Sequence, residues 1–347
     1  MTDKNNGGYQ DQDRALDIIF EELKGNKISK AVRKAKIFST IRTIGISLIT
    51  FIVLSIAIIS ISEKVSVIKW SEYIGKINHS YTIQGPNKFP GMFQSYRGYF
   101  GGEVEHKTFK YIHGKRVYTG TYTFQYNLLG EKHPQWNGTL INNTNMTDEE
   151  LNYLPRYNHI GQKLMVFYYP YVDYGNRYQN DLSLLEDIGN EKYMEIALSF
   201  DEEYSMDEVE GMIPENINLT WYWVNSEEES HKSTQKRYID EQDMGNGEIK
   251  EVEQYPDLCY EDQAYGIKAI NEYGEKIEKP EENFIKALKN GDVTSLYNII
   301  AGSDGTLTKE DIKVQGVVVT GDTESLKLLE DLPFIKATSI GVITDKY

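Results

Sequence analysis

Tyr193-Met-Glu-Ile-Ala-Leu-Ser-Phe200, Ser205-Met-Asp-Glu-Val-Glu-Gly-Met-Ile-Pro214 and Ile217-Asn-Leu-Thr-Trp-Tyr-Trp-Val224 together decide the fold of this chain. The first and third runs read as strands, being apolar, aromatic and β-branched. Ser205 and Glu208 form a capping box, in which hydroxyl and carboxylate satisfy two donors of a first helical turn. Val209, Met212 and Ile213 line the helix that follows, and Pro214 ends it. The pattern returns 119 residues later without a gap. Ile312–Thr320 is a strand, Asp322 or Thr323 caps a helix with Leu326, Leu328, Leu329 and Leu332, Pro333 ends it, and Ile335–Ile343 is a strand. Pro214 falls on Pro333, Ile213 on Leu332, Val209 on Leu328, Leu198 on Val317 and Phe200 on Val319. Two β-α-β units, each with a helix of about two turns, predict an α+β domain over residues 190–347. Its sheet carries helices on one face, in a split, ferredoxin-like plan. Right-handed crossovers make the sheet mixed or antiparallel according to how the units interleave.

Between the units, residues 225–262 hold 12 acidic and 4 basic side chains and few aliphatics, and read as a long, mobile insertion. Pro280–Asn290 and Asp292–Ile300 each open a helix. Residues 63–185 form a strand-rich region with alternating runs at Arg116–Gln125 and Lys163–Tyr169, broken by Gly and Pro turns. A short helix is expected within Asn143–Pro155, capped by Thr147 or Asp148. The run Tyr168–Tyr174 suits either a sugar-stacking platform or half-buried strand surface, and the second is the commoner use.

Residues 43–62 are uncharged, apolar and free of proline. Twenty helical residues span about 30 Å, the thickness of a bilayer's hydrocarbon core. A retained transmembrane helix is favoured over a buried soluble helix or a cleaved signal peptide, because the run starts late and no small-residue cleavage site follows it. Lys24, Lys27, Lys30, Arg33, Lys34, Lys36 and Arg42 precede the span, whereas residues 63–82 hold only Lys64, Lys69 and Lys76. The positive-inside bias puts the N-terminus in the cytoplasm and the C-terminal domain outside. The formal net charge of −16 over 347 residues then divides into +3 for residues 1–42 and −19 for the remainder. No basic face is left for nucleic acid.

Within the cytoplasmic segment, residues 1–42, Asp11–Lys24 reads as an amphipathic helix closed by Gly25, and a second helix runs from Ser29 into the membrane. Leu16, Ile19, Phe20 and Leu23 recur at i, i+3, i+4 and i+7. A helix this short is marginal in water, so its stripe needs a partner: the lipid surface of the bilayer, or the groove of a cytoplasmic protein. The second use makes these four residues candidate partner-binding residues.

Chemistry is sparse. The single cysteine, Cys259, excludes an intramolecular disulfide and a cysteine-rich zinc site, and the six histidines have no metal-ligand spacing. There is no Gly-x-Ser-x-Gly elbow and no glycine-rich phosphate loop, so neither an enzyme nor a cofactor is expected. The acidic insertion is at most a weak calcium candidate. Asn-x-Ser/Thr triplets at Asn78, Asn137, Asn142, Asn145 and Asn218 are expected by chance in a chain this rich in Asn and Thr.

The run Gly316-Val-Val-Val-Thr-Gly-Asp-Thr-Glu-Ser-Leu-Lys-Leu-Leu-Glu-Asp-Leu-Pro333, with its continuation to Ile343, is similar to the end of the sigma-factor regulator family. Ala197–Ser205 and Leu219–Val224 resemble the same C-terminal domain, and the basic, then apolar, stretch around residues 27–80 resembles the family's N-terminal module. The resemblance implies a single-pass anti-sigma factor that sequesters an extracytoplasmic-function sigma factor until a cell-envelope signal arrives. Many anti-sigma proteins carry a longer cytoplasmic domain, often with a zinc site. This segment of about 42 residues has no His and no Cys, which leaves room for a membrane co-regulator subunit. The rival expectation is an anchored extracytoplasmic protein that binds wall polymer, peptide or another membrane protein and has no transcriptional role.

Overall fold

The computed structural model describes residues 8–98, 100–127, 130–132, 153–234, 238–243, 249–254, 256–291, 293–302 and 305–347. The chain divides into two units, Met1–Val65 and Ser66–Tyr347. The first consists, in its described residues, of helix alone. Helix α1 runs from Gly8 to Ile83, contains the whole apolar span, and is long and apolar enough to cross a membrane. Thr43 and Thr50 return their hydroxyls to the carbonyls of Ser39 and Ile46, so these polar residues leave the helix unbroken. The break expected at Gly25 is absent. Glycine costs a helix interior about 1 kcal/mol against alanine, and no proline enforces a stop. The helix also continues past the span, where Glu72 pairs with Lys69 and Lys76 one turn to either side.

The second unit begins with the last turns of α1. Then come strands β1 (Lys88–Arg97), β2 (Gly101–Ile112), β3 (Lys115–Asn127) and β4 (Gly130–Lys132), an antiparallel meander in that order. His113 and Gly114 turn β2 into β3 with positive φ at both positions, as a two-residue hairpin requires. Strand β5 is only Val166–Phe167, shorter than the run Lys163–Tyr169. Most of the helix expected within Asn143–Pro155 lies outside the described residues.

The repeat forms the largest sheet. Strand β6 (Lys192–Tyr204) leads through helix α2 (Met206–Met212) to β7 (Asn218–Val224). The acidic insertion follows with helix α3 (Glu229–Thr234), strands β8 (Tyr238–Asp243) and β9 (Ile249–Gln254), and β10 (Cys259–Tyr260). After β11 (Gly266–Lys268) come helices α4 (Pro280–Asn290) and α5 (Thr294–Ile300). The second unit of the repeat is β12 (Val314–Asp322), α6 (Thr323–Leu326) with a 3₁₀ turn at Lys327–Leu329, and β13 (Ile335–Asp345). The sheet order is β11-β7-β12-β6-β13, with every neighbouring pair antiparallel. The two units therefore interleave: each unit's first strand lies next to both strands of the other.

Both helix starts take the caps expected of them. Ser205 and Glu208 close a complete capping box, and Asp322 accepts the amide of Ser325. The equivalence of Val209 and Leu328 fails, since Val209 is buried and Leu328 is 53% exposed. Tightening to a 3₁₀ turn after Leu326 carries Leu329 into the core in its place. The insertion is not irregular throughout: β8 and β9 pair over six positions from Tyr238↔Gln254 to Asp243↔Ile249.

Alternation along the central strands builds two cores. Met194, Ile196, Leu198, Val317 and Val319 face α2, α4, α5 and α6. Ala197, Trp221, Trp223 and Val318 face the opposite way, beneath Met165–Tyr174 and Leu258–Tyr260. Tyr168 and Tyr174 are buried there, so the tyrosine run is interior surface and not a sugar platform. Gly316 sits where a Cβ would stand 2.3 Å from the Leu198 carbonyl oxygen, which explains a glycine in the middle of a central strand.

Candidate functional site

Leu16, Ile19, Phe20 and Leu23 lie on a single stretch of α1, and their i, i+3, i+4, i+7 spacing puts them on one side of it. Each is between half and two-thirds exposed, and no described residue covers the stripe. Covering the exposed half of each side chain would be worth about 1–2 kcal/mol. The seven basic residues that follow it belong to the same helix.

The second unit, Ser66–Tyr347, holds two polar centres of a different kind. In the first, His106 of β2 is enclosed by aromatic rings. Its Nδ1 is 3.3 Å from the Tyr73 hydroxyl and its Nε2 is 3.3 Å from the Tyr81 hydroxyl, both on the last turns of α1. Tyr122 stacks on the ring at 5.6 Å, and Tyr73 stacks on Phe124 at 4.4 Å. Burial, and then the ammonium of Lys88, press the imidazolium down to about 4, so the ring is neutral at pH 7. A neutral imidazole has one N–H and one lone pair, so one tyrosine hydroxyl accepts from it and the other donates. A cavity of about 340 Å³ opens beside it, lined chiefly by Tyr73, Ile77, Tyr81 and Phe124.

The second centre ties the meander to the repeat sheet. Lys110 of β2 reaches Glu195 of β6 at 2.8 Å and Glu261 at 3.1 Å, with almost no solvent contact at any of the three. Asn87 donates to the same Glu195 at 2.9 Å and brackets Tyr111 with bonds to its carbonyl and amide. Glu261 also accepts the amide of Met165. Burial disfavours the Lys110 ammonium, but the two carboxylates outweigh it and hold the group above the ordinary lysine range. Burial raises Glu195 above the usual carboxylate range against the pull of Lys110, and Glu261 adds to the rise. One cation between two carboxylates makes a clamp whose loss leaves a charge stranded in the interior.

These residues went unnoticed in the sequence, although two signals were present. Val104, His106, Thr108, Lys110 and Ile112 alternate with outward residues along β2, so the polar members share the inward face. Glu195 is the one charge inside Tyr193–Phe200. The pairing of the two strands' side chains had no local signature. Among the described residues no three His, Cys, Asp or Glu side chains gather as a metal would need. Cys259 is buried, which pushes its thiol up to about 12 and keeps it protonated. Asn218, one of the Asn-x-Thr positions, bonds the ring of His113.

Comparison with known protein families gives two matches. The sigma factor regulator C-terminal domain matches residues 185–342 and the sigma factor regulator N-terminal domain matches residues 29–117. No curated protein and no solved structure matches the chain significantly. The first match holds the interleaved repeat with Glu195 and Glu261; the second holds the basic residues from Lys30 to Arg42, the apolar span, His106 and Lys110. The two domains are regulatory, and with one helix able to cross a membrane they support the role of a single-pass anti-sigma factor. Matched in both halves and over well more than half its length, this chain belongs to the sigma factor regulator family.

Proposed function

We propose that this protein holds an extracytoplasmic-function sigma factor at the cytoplasmic face of the membrane and releases it when the outer domain receives a cell-envelope signal. The observation that carries this reading is the uncovered stripe of Leu16, Ile19, Phe20 and Leu23, directly ahead of the basic run of a sigma-regulator domain. Seven basic residues before the span against three after it support an inward N-terminus. In this arrangement residues 1–42 bind the sigma factor, 43–62 cross the bilayer, 63–185 form the first outer region and 190–347 form the regulator domain. The order β7-β12-β6-β13, all antiparallel, supports a ferredoxin-like plan for that last domain.

The mechanism is mass action. Sigma factor bound to the helix is withheld from RNA polymerase, and a signal that weakens binding by about 1.4 kcal/mol raises its Kd about tenfold. A stripe of four side chains is small, so a membrane co-regulator that enlarges the interface fits the reading. Residues 1–42 presented on beads should retain a sigma factor from the same cell, and Leu16→Asp with Phe20→Asp should abolish retention. If the wild-type segment retains none, the reading fails. Deleting residues 3–24 should derepress a regulon, whereas unchanged transcripts would favour an anchored binding protein without a transcriptional role.

A further inference from the structure

A second cavity, of about 540 Å³, lies where the end of α1, the start of β1, the turn after β11 and helix α4 meet. It differs from the apolar cavity beside His106. Lys268 and Lys286 line it, with Glu272 as the one carboxylate, and the amides of Asn78 and Asn283 stand among them.

Lys268 is the unusual member. Its ammonium donates to the Lys88 carbonyl at 2.6 Å and lies 4.0 Å over the ring of Phe89, yet no carboxylate among the described residues forms an ion pair with it. Burial pulls its pKa down to about 7, with only a partial offset from Glu272. A half-buried lysine whose ammonium has only a carbonyl and a ring for partners has room for an anion as its counterion. His79 also lines the cavity, but its Nε2 is buried, has no hydrogen-bond partner among the described residues and does not open onto the space. The His79 ring rests against Gly291, where a Cβ would come within 2.2 Å of it. Lys286 and Asn283 lie exposed on α4 at the mouth. A half-buried lysine, with a lysine and two amides exposed at the rim, suits a ligand that carries one acid group on a hydroxylated body.

We propose that this cavity binds a small anionic saccharide, its carboxylate or phosphate held by Lys268 and Lys286 and its hydroxyls by the amides of Asn78 and Asn283. The site joins residues of both family domains, so an occupant braces the helix that leaves the span against the regulator domain. Only this consequence for signalling rests on the anti-sigma reading; the binding does not.

Calorimetric titration of the detergent-solubilised full chain tests it, with glucuronate, glucose 6-phosphate, glucose and inorganic phosphate as probes. Both sugar acids should saturate one site per chain, and glucose and phosphate should each bind at least tenfold more weakly. Lys268→Met should weaken the sugar acids at least tenfold. Should that variant lose its fold, Lys286→Gln and Asn283→Ala at the mouth should each weaken them by a smaller factor with unfolding temperature unchanged. Phosphate binding as tightly as the sugar acids would overturn the saccharide. Absence of saturable binding, or indifference to all three substitutions, would overturn the site. No sigma factor is present in the titration, so a failed pull-down with residues 1–42 and a failed titration are separate results.

Discussion

His106 is the residue whose environment makes the clearest prediction. Its folded pKa is depressed from 6.5 to about 4 by burial and by Lys88, so its contribution is fully present above pH 6.5 and is lost as pH falls toward 4. That shift corresponds to about 3 kcal/mol over the window. Denaturant unfolding of the full chain at pH 7 and pH 4 should show this loss, and His106→Phe should flatten it. Cys259 supplies a second test: a buried thiol held up at about 12 should resist iodoacetamide in the native protein and react at full rate in denaturant. At this scale the sequence was readable wherever a residue's role is local. Ser205, Glu208 and Asp322 serve as the caps their spacing foretold, because a cap's partners lie within one turn. Lys110 and Glu195 are 85 positions apart, and nothing near either residue names the other.

Elements were legible by periodicity and blurred at their ends. Both strands of each repeat unit, the helices α2, α4 and α5, and the apolar span fall where hydrophobic spacing and proline put them. Gly25 misled because glycine is a stop only where the chain has reason to turn, and α1 meets none there. The second repeat helix shortened because the 3₁₀ turn at Lys327–Leu329 buries Leu329, and local pattern cannot choose between that and another α turn. The hairpin β8–β9 was hidden because its pairing satisfies backbone groups whatever its acidic side chains are. Ser205→Ala removes the cap of α2 and should cost about 1 kcal/mol in the same unfolding assay. Glu208→Ala should cost less, since Ser205 keeps its own acceptor bond.

At the scale of the whole molecule, the Lys110–Glu195–Glu261 clamp joins the meander to the repeat sheet. Lys110→Met leaves two buried carboxylates without their cation and should cost about 3–5 kcal/mol. Adding Glu195→Gln to it should recover part of that loss, a non-additivity that separates a clamp from independent contacts. Residues 66–347 have a core of their own, and that fragment should unfold cooperatively in water without detergent. What the amino-acid order determined by itself was every property set within a few residues: the uncharged span, the basic run beside it, the apolar stripe, the caps, and the two β-α-β units with their prolines. What only the tertiary structure decided was which strands interleave, that β2 meets β6 through buried charge, and that His106, Lys268 and His79 border cavities. Such pairings join side chains far apart in the chain, and the energy that selects them comes from excluding water around both partners at once.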